Sequence, residues 1–507
     1  MTNDYLRCSK DVEYCRDWYL EKNKGTWNQT IVKESTPSWV VKNMVDLLPE
    51  DSFTLDAKFI DIFSKSGIFL EVIRNKLMRN QAHIDKFPDP KERFNYITRN
   101  QLYALVWCDG VEDVVENQLA LTTVAIYGRL VDNPNVYRVE IDRKTLKKEE
   151  GVHKFIELFY SEEYFKGMKF DVVIGNPPYN NDIYLKFVTI GHGLANKHSL
   201  WITPAKWQAK GGKDNEAFRK DIVTHMSKIV YYKDSTDVFG IEEWGGISYY
   251  MVDNYNHDVR LVKNCCNKNN QFVSDYEPHD ESRTVLSPLS IRRIIDKIAL
   301  CTDGYKKLSE STHFSRFTYT HEQERGHAYV NGELNIPIIQ GTKSTGGYLK
   351  RSELKTMVNL EKYKVITSCM WGNGNATFDA SGKLFGVTNM SIVEPYAVPK
   401  GSFVILRYFD TEEQCKSFIS YMYSKLSAFL IYMGLCGATL NSEFWRFVPD
   451  PQDWSVIYED KPLPDHEPDK NGIYTDEQNR KHCSLYKKYN LTDDEIAIIE
   501  SVIKERK

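Results

Sequence analysis

Phe170-Asp171-Val172-Val173-Ile174-Gly175-Asn176-Pro177-Pro178-Tyr179 changes character halfway along. Val172, Val173 and Ile174 favour a pleated backbone, and an apolar run of this kind suits a strand covered on both faces. Gly175 permits a sharp turn. Pro177 and Pro178 fix φ and remove two N–H donors, so a ladder cannot continue through them. Asn176 precedes a proline, which biases it to an extended backbone. The stretch predicts a strand that runs into a stiff loop presenting one amide side chain, free carbonyls and one aromatic ring. Such a loop suits a planar amine. The Asn176 side-chain oxygen and the Pro177 carbonyl can accept its hydrogens, and Tyr179 can stack on the ring that bears it. A rigid turn with a buried tyrosine is the plainer alternative, and four residues alone do not separate the two.

Upstream, Lys58–Phe63 reads as a strand, Ser64-Lys65-Ser66-Gly67 as a tight turn, and Ile68, Phe69, Leu70, Val72, Ile73, Leu77 and Met78 as a helix. In a doubly wound sheet such a turn lies where ligands bind, and the helix N-terminus offers N–H groups to a carboxylate. Many strand-to-helix turns share this look, and only one glycine is present. Earlier still, Thr36-Pro37 reads as a helix start, with Thr36 as the cap and Pro37 in the first turn. Trp39, Val40, Met44, Val45, Leu47 and Leu48 follow at helical spacing.

Taken in order, Thr36-Pro37 with its helix, Asp61-Ile62-Phe63-Ser64-Lys65-Ser66-Gly67, and Asn176-Pro177-Pro178-Tyr179 resemble the gamma-class N6-adenine DNA methyltransferases. The wording Lys65-Ser66-Gly67-Ile68-Phe69-Leu70-Glu71 is similar to the modification parts of Type II restriction-modification enzymes. The resemblance implies an α/β fold. A doubly wound, Rossmann-like methyltransferase domain over residues 36–265 would be followed by a mixed α+β target-recognition domain over 270–450. A helical arm (1–35) would precede them, and a connector with a C-terminal helix (451–507) would follow. It further implies methyl transfer from S-adenosyl-L-methionine to the N6 amine of an adenine flipped out of double-stranded DNA. No general base is then required before attack, because the proton can leave afterwards.

By the same resemblance Asn176, Pro177, Pro178 and Tyr179 match the catalytic motif, and Thr36, Asp61, Phe63 and Gly67 match cofactor-binding positions. The family more often has Gly or Ala where Ser64 stands. A Rossmann-like site wants a carboxylate after its second strand, here Gln101–Trp107, to accept from the ribose hydroxyls. Val106 and Trp107 fill the family's usual places, so Asp109 is the expected acid, with Glu112 behind it. A solvated acid that opens the next helix is the competing reading of Asp109. Val139 to Asp142 is expected to end a third strand near the cofactor's adenine.

Further along, Leu200–Pro204, Ile229–Tyr232 and Ile247–Val252 read as strands and Gly211-Gly212-Lys213 as a flexible loop. Gly245-Gly246 resembles the family's motif near the target-base pocket, or is a plain hairpin turn. From about residue 270 the strand-helix alternation stops. Between 341 and 390 seven Lys or Arg stand against three Asp or Glu. The loop 341–351 inside that stretch is either a phosphate- and base-contacting element or a solvated surface. Gly372–Asn375 and Ala380–Lys383 are turn signals, Phe403–Leu406 a strand and Cys415–Leu435 a helix. Leu440 to Pro449 resembles the wording that closes the recognition domain of restriction-associated methylases. Residues 451–480 are rich in Pro and Asp and read as an extended connector. Thr492 and Glu495 form a capping box for a last helix.

The 507 residues allow two or three domains, and 41% hydrophobic with 27% charged residues is ordinary globular composition. A net charge of −4 means that any nucleic-acid site is a local basic surface. Ten scattered cysteines without a Cys-x-x-Cys pair read as reduced thiols and no metal site. With no apolar run of membrane length and no signal-peptide core, a cytoplasmic protein is expected. A separate restriction nuclease is an open partner. The rivals are a cytosine-N4 methyltransferase, which more often shows Ser-Pro-Pro, a protein glutamine methyltransferase, which is much shorter, and a non-catalytic DNA-binding subunit of a restriction complex.

Overall fold

The computed structural model describes residues 36–107, 119, 122–128, 135–139, 168–179, 182–208, 211–232, 235–240, 243, 245–254, 261–267, 270–275, 289–300, 306–313, 326–331, 335–340, 342–354, 359–369, 389–434, 440 and 442–504. The chain divides into two units, Met1–Trp207 with Gly211–Glu281 and Gln208–Lys210 with Ser282–Lys507.

The first unit is built on a nine-stranded sheet. Its strands are β1 Phe59–Asp61, β2 Leu102–Trp107, β3 Val136–Val139, β4 Phe170–Gly175, β5 Ala195–Pro204, β6 Met226–Tyr232, β7 Ile247–Asp253, β8 Leu261–Asn267 and β9 Asn270–Asp275. Their spatial order is β3-β2-β1-β4-β5-β7-β6-β8-β9. β1 pairs in parallel with both β2 and β4, β2 with β3, and β4 with β5. β7 runs antiparallel between β5 and β6. The chain therefore lays down β1, β2 and β3 in one direction and returns to the far side of β1 for β4 and β5. The gap between the ends of β1 and β4 is a topological switch point, where an open α/β sheet leaves a crevice.

Every residue of β1 and β2 is buried, as a parallel sheet covered on both faces requires. β4 departs once from its apolar run. Asp171 is half-buried, and its carboxylate accepts the Lys58 N–H at 2.9 Å and lies 3.6 Å from Lys197 Nζ. Helices α1 (Ser38–Val45) and α2 (Ile68–Leu77) bury Val40, Val41, Met44, Val45, Leu70, Ile73 and Leu77 in one cluster with Phe59, Leu102, Val172 and Leu200. Helix α3 (Ile183–Leu194) follows β4.

Several expectations change in detail. β1 is shorter than Lys58–Phe63, and β5 extends back to Ala195. The helix expected to begin at Phe218 spans Lys213–Asp221. Residues 233–246 separate β6 from β7, so Gly245-Gly246 is not a two-residue hairpin. Gly246 instead accepts the Ala205 N–H at 2.9 Å. Thr36 does not cap α1: the N-cap is Pro37, and no side chain caps the helix.

Among the described residues the second unit holds three small sheets, ordered β11-β10-β14, β13-β12-β15 and β16-β18-β17. Their strands are β10 Ile336–Gln340, β11 Lys343–Leu349, β12 Tyr363–Ser368, β13 Met390–Val393, β14 Val398–Pro399, β15 Phe403–Phe409, β16 Ile457–Glu459, β17 Ile473–Thr475 and β18 Lys481–Ser484. Ile336, Ile338, Leu349, Ile366, Val398 and Ile405 join the first two in one core. The loop expected over 341–351 is largely strand, because β11 pairs antiparallel with β10. The long helix expected from Cys415 breaks at Ser424 into Glu412–Tyr423 and Lys425–Gly434.

The connector expected over 451–480 is instead a folded element. His482 bridges Glu459 and Asp476 through both ring nitrogens, each 2.9 Å from a carboxylate oxygen. Arg480 Nε meets Asp476 at 2.6 Å. These contacts tie together acids that lie far apart in the sequence. The capping box of Thr492 and Glu495 is present as expected, on the helix Asp493–Val502. Gly372–Asn375 and Ala380–Lys383 lie outside the described residues. No helix among the described residues is long and apolar enough to cross a membrane.

Candidate active site

The switch point opens into a cleft lined by Thr36, Asp61, Phe63, Lys65, Ser66, Gly67, Ile68, Phe69 and Asn176. Four of the expected cofactor-binding residues and the first residue of the expected catalytic motif thus share one space. The chain reaches it from three directions: the approach to α1, the turn after β1 and the loop after β4.

The turn after β1 is built on backbone groups. The Phe63 N–H donates to Asp61 Oδ1 at 3.1 Å, and Ser64 N–H to the Leu105 carbonyl at 2.8 Å. Gly67 closes the turn with φ 72° and stands at the N-cap of α2, where its carbonyl accepts the Glu71 N–H at 3.1 Å. A Cβ there would lie 2.6 Å from Ala125 Cβ and 2.9 Å from Thr122 Cα, so glycine is required by conformation and by space. The helical residues 122–127 brace the turn. Ser64 Oγ and Thr122 Oγ1 are 3.0 Å apart, and Arg74 of α2 donates to the carbonyls of Ala125 and Ile126, the latter at 2.9 Å. The first N–H groups of α2 belong to Ile68 and Phe69, which line the cleft. A helix begins with such groups unpaired within itself, and they suit an anion.

Asp61 sits at the C-terminal end of β1, 1% exposed. Burial pushes its carboxyl up to about 7, against the Phe63 N–H, Ser64 and the Lys65 ammonium, which all lower it. A buried carboxyl of this kind would be drawn back to its ionised form by a cation bound beside it. Phe63 is held in an aromatic cluster, 6.0 Å from Trp107 and 5.6 Å from Phe187.

The corner after β4 is stiff. Asn176, Pro177 and Pro178 are all buried. Asn176 Nδ2 donates to Thr36 Oγ1 at 3.0 Å, across 140 positions of sequence. That bond fixes the amide's orientation and leaves Oδ1 as its acceptor end. Tyr179 is half-buried and does not line the cleft. Its ring meets Phe239 edge-on at 6.4 Å, and its hydroxyl reaches toward the Ile202 carbonyl at 3.5 Å. Gly175, just before the corner, lies against Trp201, and a Cβ on it would stand 3.7 Å from Asp61 Oδ1. The two strand ends are thus in direct proximity.

Trp107 occupies the end of β2, where the family's acid is usual. Its indole N–H donates to the Ile62 carbonyl at 2.6 Å and ties the ends of β1 and β2 together. Asp109 and Glu112 lie outside the described residues, as do residues 140–142. Lys65, Ser66, Ile68 and Phe69, which belong to or follow the expected turn, line the cleft beside the expected cofactor-binding positions. Thr122 and Ala125, against which Gly67 packs, carry no signal of their own in the sequence.

Residues 88–239 match the Eco57I restriction-modification methylase family model, a span that includes β4 and its corner. An uncharacterized adenine-specific methylase of Mycoplasma pneumoniae is 28% identical over 205 residues, 35% of this chain and 47% of the relative. The match therefore spans about half the relative's length. Among solved structures, the ATP-dependent Type ISP restriction-modification enzyme LlaBIII bound to DNA has a TM-score of 0.45 at 9% identity, covering 85% of this chain and 40% of that one. A DrdV–DNA complex has a TM-score of 0.44 at 10% identity, covering 86% and 58%. The likeness to N6-adenine methylases of restriction-modification type is thus met by a family match, whose span holds Asn176–Tyr179 but not the turn around Gly67, and by a relative.

Proposed function

We propose that this chain is a site-specific DNA methyltransferase that modifies the N6 amine of adenine and takes its methyl group from S-adenosyl-L-methionine. The observation that carries the reading is the shared cleft. A turn suited to an amino-acid zwitterion and a corner suited to an amine open into the same space, at the switch point of the sheet.

The residues present fit the cofactor's methionine part. The leading N–H groups of α2 would take its carboxylate, and Asp61 would take its ammonium, which restores charge to a carboxyl that burial keeps near neutrality. Gly67 keeps the turn open, and Phe63 offers an apolar wall. Asp109 is the proposed acceptor for the ribose hydroxyls. Bound there, the cofactor supplies an electrophilic methyl group on a sulfonium.

The target amine falls to the stiff corner. Asn176 Oδ1 and the Pro177 carbonyl would accept its two hydrogens and draw the nitrogen toward tetrahedral geometry, which localises its lone pair. Pro177 and Pro178 hold those acceptors in place before substrate arrives, so no reorganisation is needed at the moment of reaction. Thr36 keeps the Asn176 amide in the accepting orientation. Tyr179, braced by Phe239, would stack on the base. A base paired within a duplex cannot reach a buried amide, so the adenine must leave the helix.

The test is nucleoside analysis of duplex DNA incubated with the purified chain and isotopically labelled S-adenosyl-L-methionine. Labelled N6-methyladenine is the expected product. Labelled N4-methylcytosine would move the reading to its nearest rival, and cofactor binding without any labelled base would leave only a binding subunit.

A further inference from the structure

The second unit carries a surface that methyl transfer itself does not use. Among the described residues β11 is the outermost strand of its sheet, and Lys343, Ser344, Thr345 and Gly346 along it are exposed; Gly347 and Leu349 are buried, and Tyr348 exchanges two backbone hydrogen bonds with His327 on the outer side. Its pairing with β10 is irregular. Gln340 faces Lys343 and Ile339 faces Ser344 near the tip, while Pro337 faces Tyr348 and Ile336 faces Leu349 at the base. Ile338 therefore stands opposite Thr345, Gly346 and Gly347 together.

This bulge is pinned from within. Thr345 Oγ1 donates to the Ile338 carbonyl at 3.0 Å and accepts the Gly347 N–H at 3.3 Å, and Ser344 Oγ accepts the Gly346 N–H at 3.2 Å. Gly346 has φ 78° and nothing within 4 Å of the position its Cβ would take. The bulge is thus open at Gly346, whereas Gly347 and Tyr348 are covered on the outer side by Gly326 and His327. Bulges of this kind bend an edge strand away from further sheet pairing and re-aim its side chains.

The ribbon's charge is of one sign. Residues 336–351 contain Lys343, Lys350 and Arg351 and no Asp or Glu, in a chain whose net charge is −4. All three cations are exposed. The acid that follows, Glu353, is engaged by His327 Nε2 at 2.6 Å and by the Lys350 N–H at 2.7 Å. Lys400, which follows β14 on the opposite side of β10, lies 3.5 Å from Gln340 Oε1 near the tip. Lys343 stands at the tip of the ribbon and Lys350 with Arg351 at its base. A strand of that length spans roughly 20 Å. That reach lets the two ends meet phosphates on both sides of a major groove, which is about 12 Å wide and admits a two-stranded ribbon.

We infer that the β10–β11 ribbon lies in a groove of duplex DNA, with Lys343, Lys350 and Arg351 on phosphates and the polar tip, Gln340, Thr342 and Ser344, toward the base edges. The inference rests on the DNA-modifying reading above and adds the element that would position the duplex. An acidic protein surface is the competing occupant.

The experiment compares the full chain with K343A/K350A/R351A, using duplexes that carry its methylated sequence, over a series of salt concentrations. Each lost phosphate contact lowers the slope of log K against log salt by about 0.9, so the triple variant should lose between two and three from that slope. Its KM for DNA should rise at least about tenfold, with a much smaller change in kcat and unchanged affinity for S-adenosyl-L-methionine. K343A alone should lower the slope by about one, which keeps the test decisive if the triple variant folds poorly. An unchanged slope and KM in both variants, with the unaltered chain still methylating DNA, would overturn the ribbon's assignment and leave the enzymatic reading intact. An unaltered chain that neither binds nor methylates duplex DNA would overturn both.

Discussion

The two corners that meet at the cleft are made rigid by opposite means. The turn after β1 depends on glycine: Gly67 takes φ 72° and leaves room only for a hydrogen between itself and Ala125. The corner after β4 depends on proline, and Pro177 and Pro178 remove the freedom that Gly175 introduces. The first presents backbone N–H groups and one buried carboxyl, which suit a charged amino-acid group. The second presents acceptors held in fixed positions, which suit an amine. Positive charge is welcome at one corner and hydrogen donation at the other. On the proposed reading, the contrast is how one crevice would hold two reactants without confusing them.

Breaking the second corner should have the largest effect on chemistry. Asn176→Ala removes the acceptor proposed to meet the amine, and methyl transfer should fall by about 10³-fold or more, as for the loss of an aligned polar group in a preorganised site. Cofactor affinity should fall far less than turnover, because the cofactor's charged groups fall to the other corner, although Asn176 shares the cleft and is bonded to Thr36. Single-turnover rates with calorimetric titration of the cofactor check both halves.

Breaking the first corner should cost stability as well as binding. Gly67→Val adds a side chain whose Cβ alone would lie 2.6 Å from Ala125 Cβ, at a position where φ is positive. Overpacking and backbone strain together should cost on the order of 2–5 kcal/mol, visible as a lower denaturation midpoint along with lost cofactor binding.

Asp61→Asn sharpens the electrostatic side of the contrast. The carboxyl of Asp61 is raised from 3.8 to about 7 in the folded chain. The folded state therefore keeps a proton that the unfolded state gives up near pH 4, and stability falls as pH rises from about 4 to about 7. The variant should lose that slope and gain up to roughly 4 kcal/mol at pH 8 when no cofactor is bound. Its cofactor affinity should drop about 10–100-fold at pH 8, since an ion pair with the ammonium is lost. In the unaltered chain, affinity should rise with pH through about 7, whereas the variant should be flat. Thermal melts and titrations at pH 5, 7 and 8 follow both quantities.

The smallest effect is expected where the two corners are tied together. Thr36→Val deletes the acceptor for Asn176 Nδ2. Turnover should fall by only about three- to tenfold, the scale of one buried hydrogen bond, and Thr36→Ser should restore it.

Much of this was readable from local punctuation. The apolar run to Ile174, the glycine and the two prolines state where β4 ends, and Ser64–Gly67 states where α2 begins. Long-range partners were not readable. Thr36 looked like a helix cap because Thr-Pro before an amphipathic run usually is one, yet its hydroxyl is taken by Asn176. Trp107 looked like a gap in a pattern of acids, and only the sheet shows its indole closing on Ile62. The Pro- and Asp-rich stretch from 451 looked extended because composition counts charges and not their pairing. His482 sits between Glu459 and Asp476 and turns that stretch into a sheet. The edge strand β11 was hidden for a related reason: its Ser, Thr and Gly residues break the alternation, and its bulge spoils the register.

The shared cleft is tested most directly by a crystal structure of the chain with S-adenosyl-L-homocysteine. The expected result places the ligand's carboxylate on the first N–H groups of the helix Ile68–Leu77, its ammonium beside Asp61, and its sulfur facing Asn176. A ligand bound away from the turn, or with its sulfur turned from Asn176 toward solvent, would contradict the idea that donor and amine meet at this switch point.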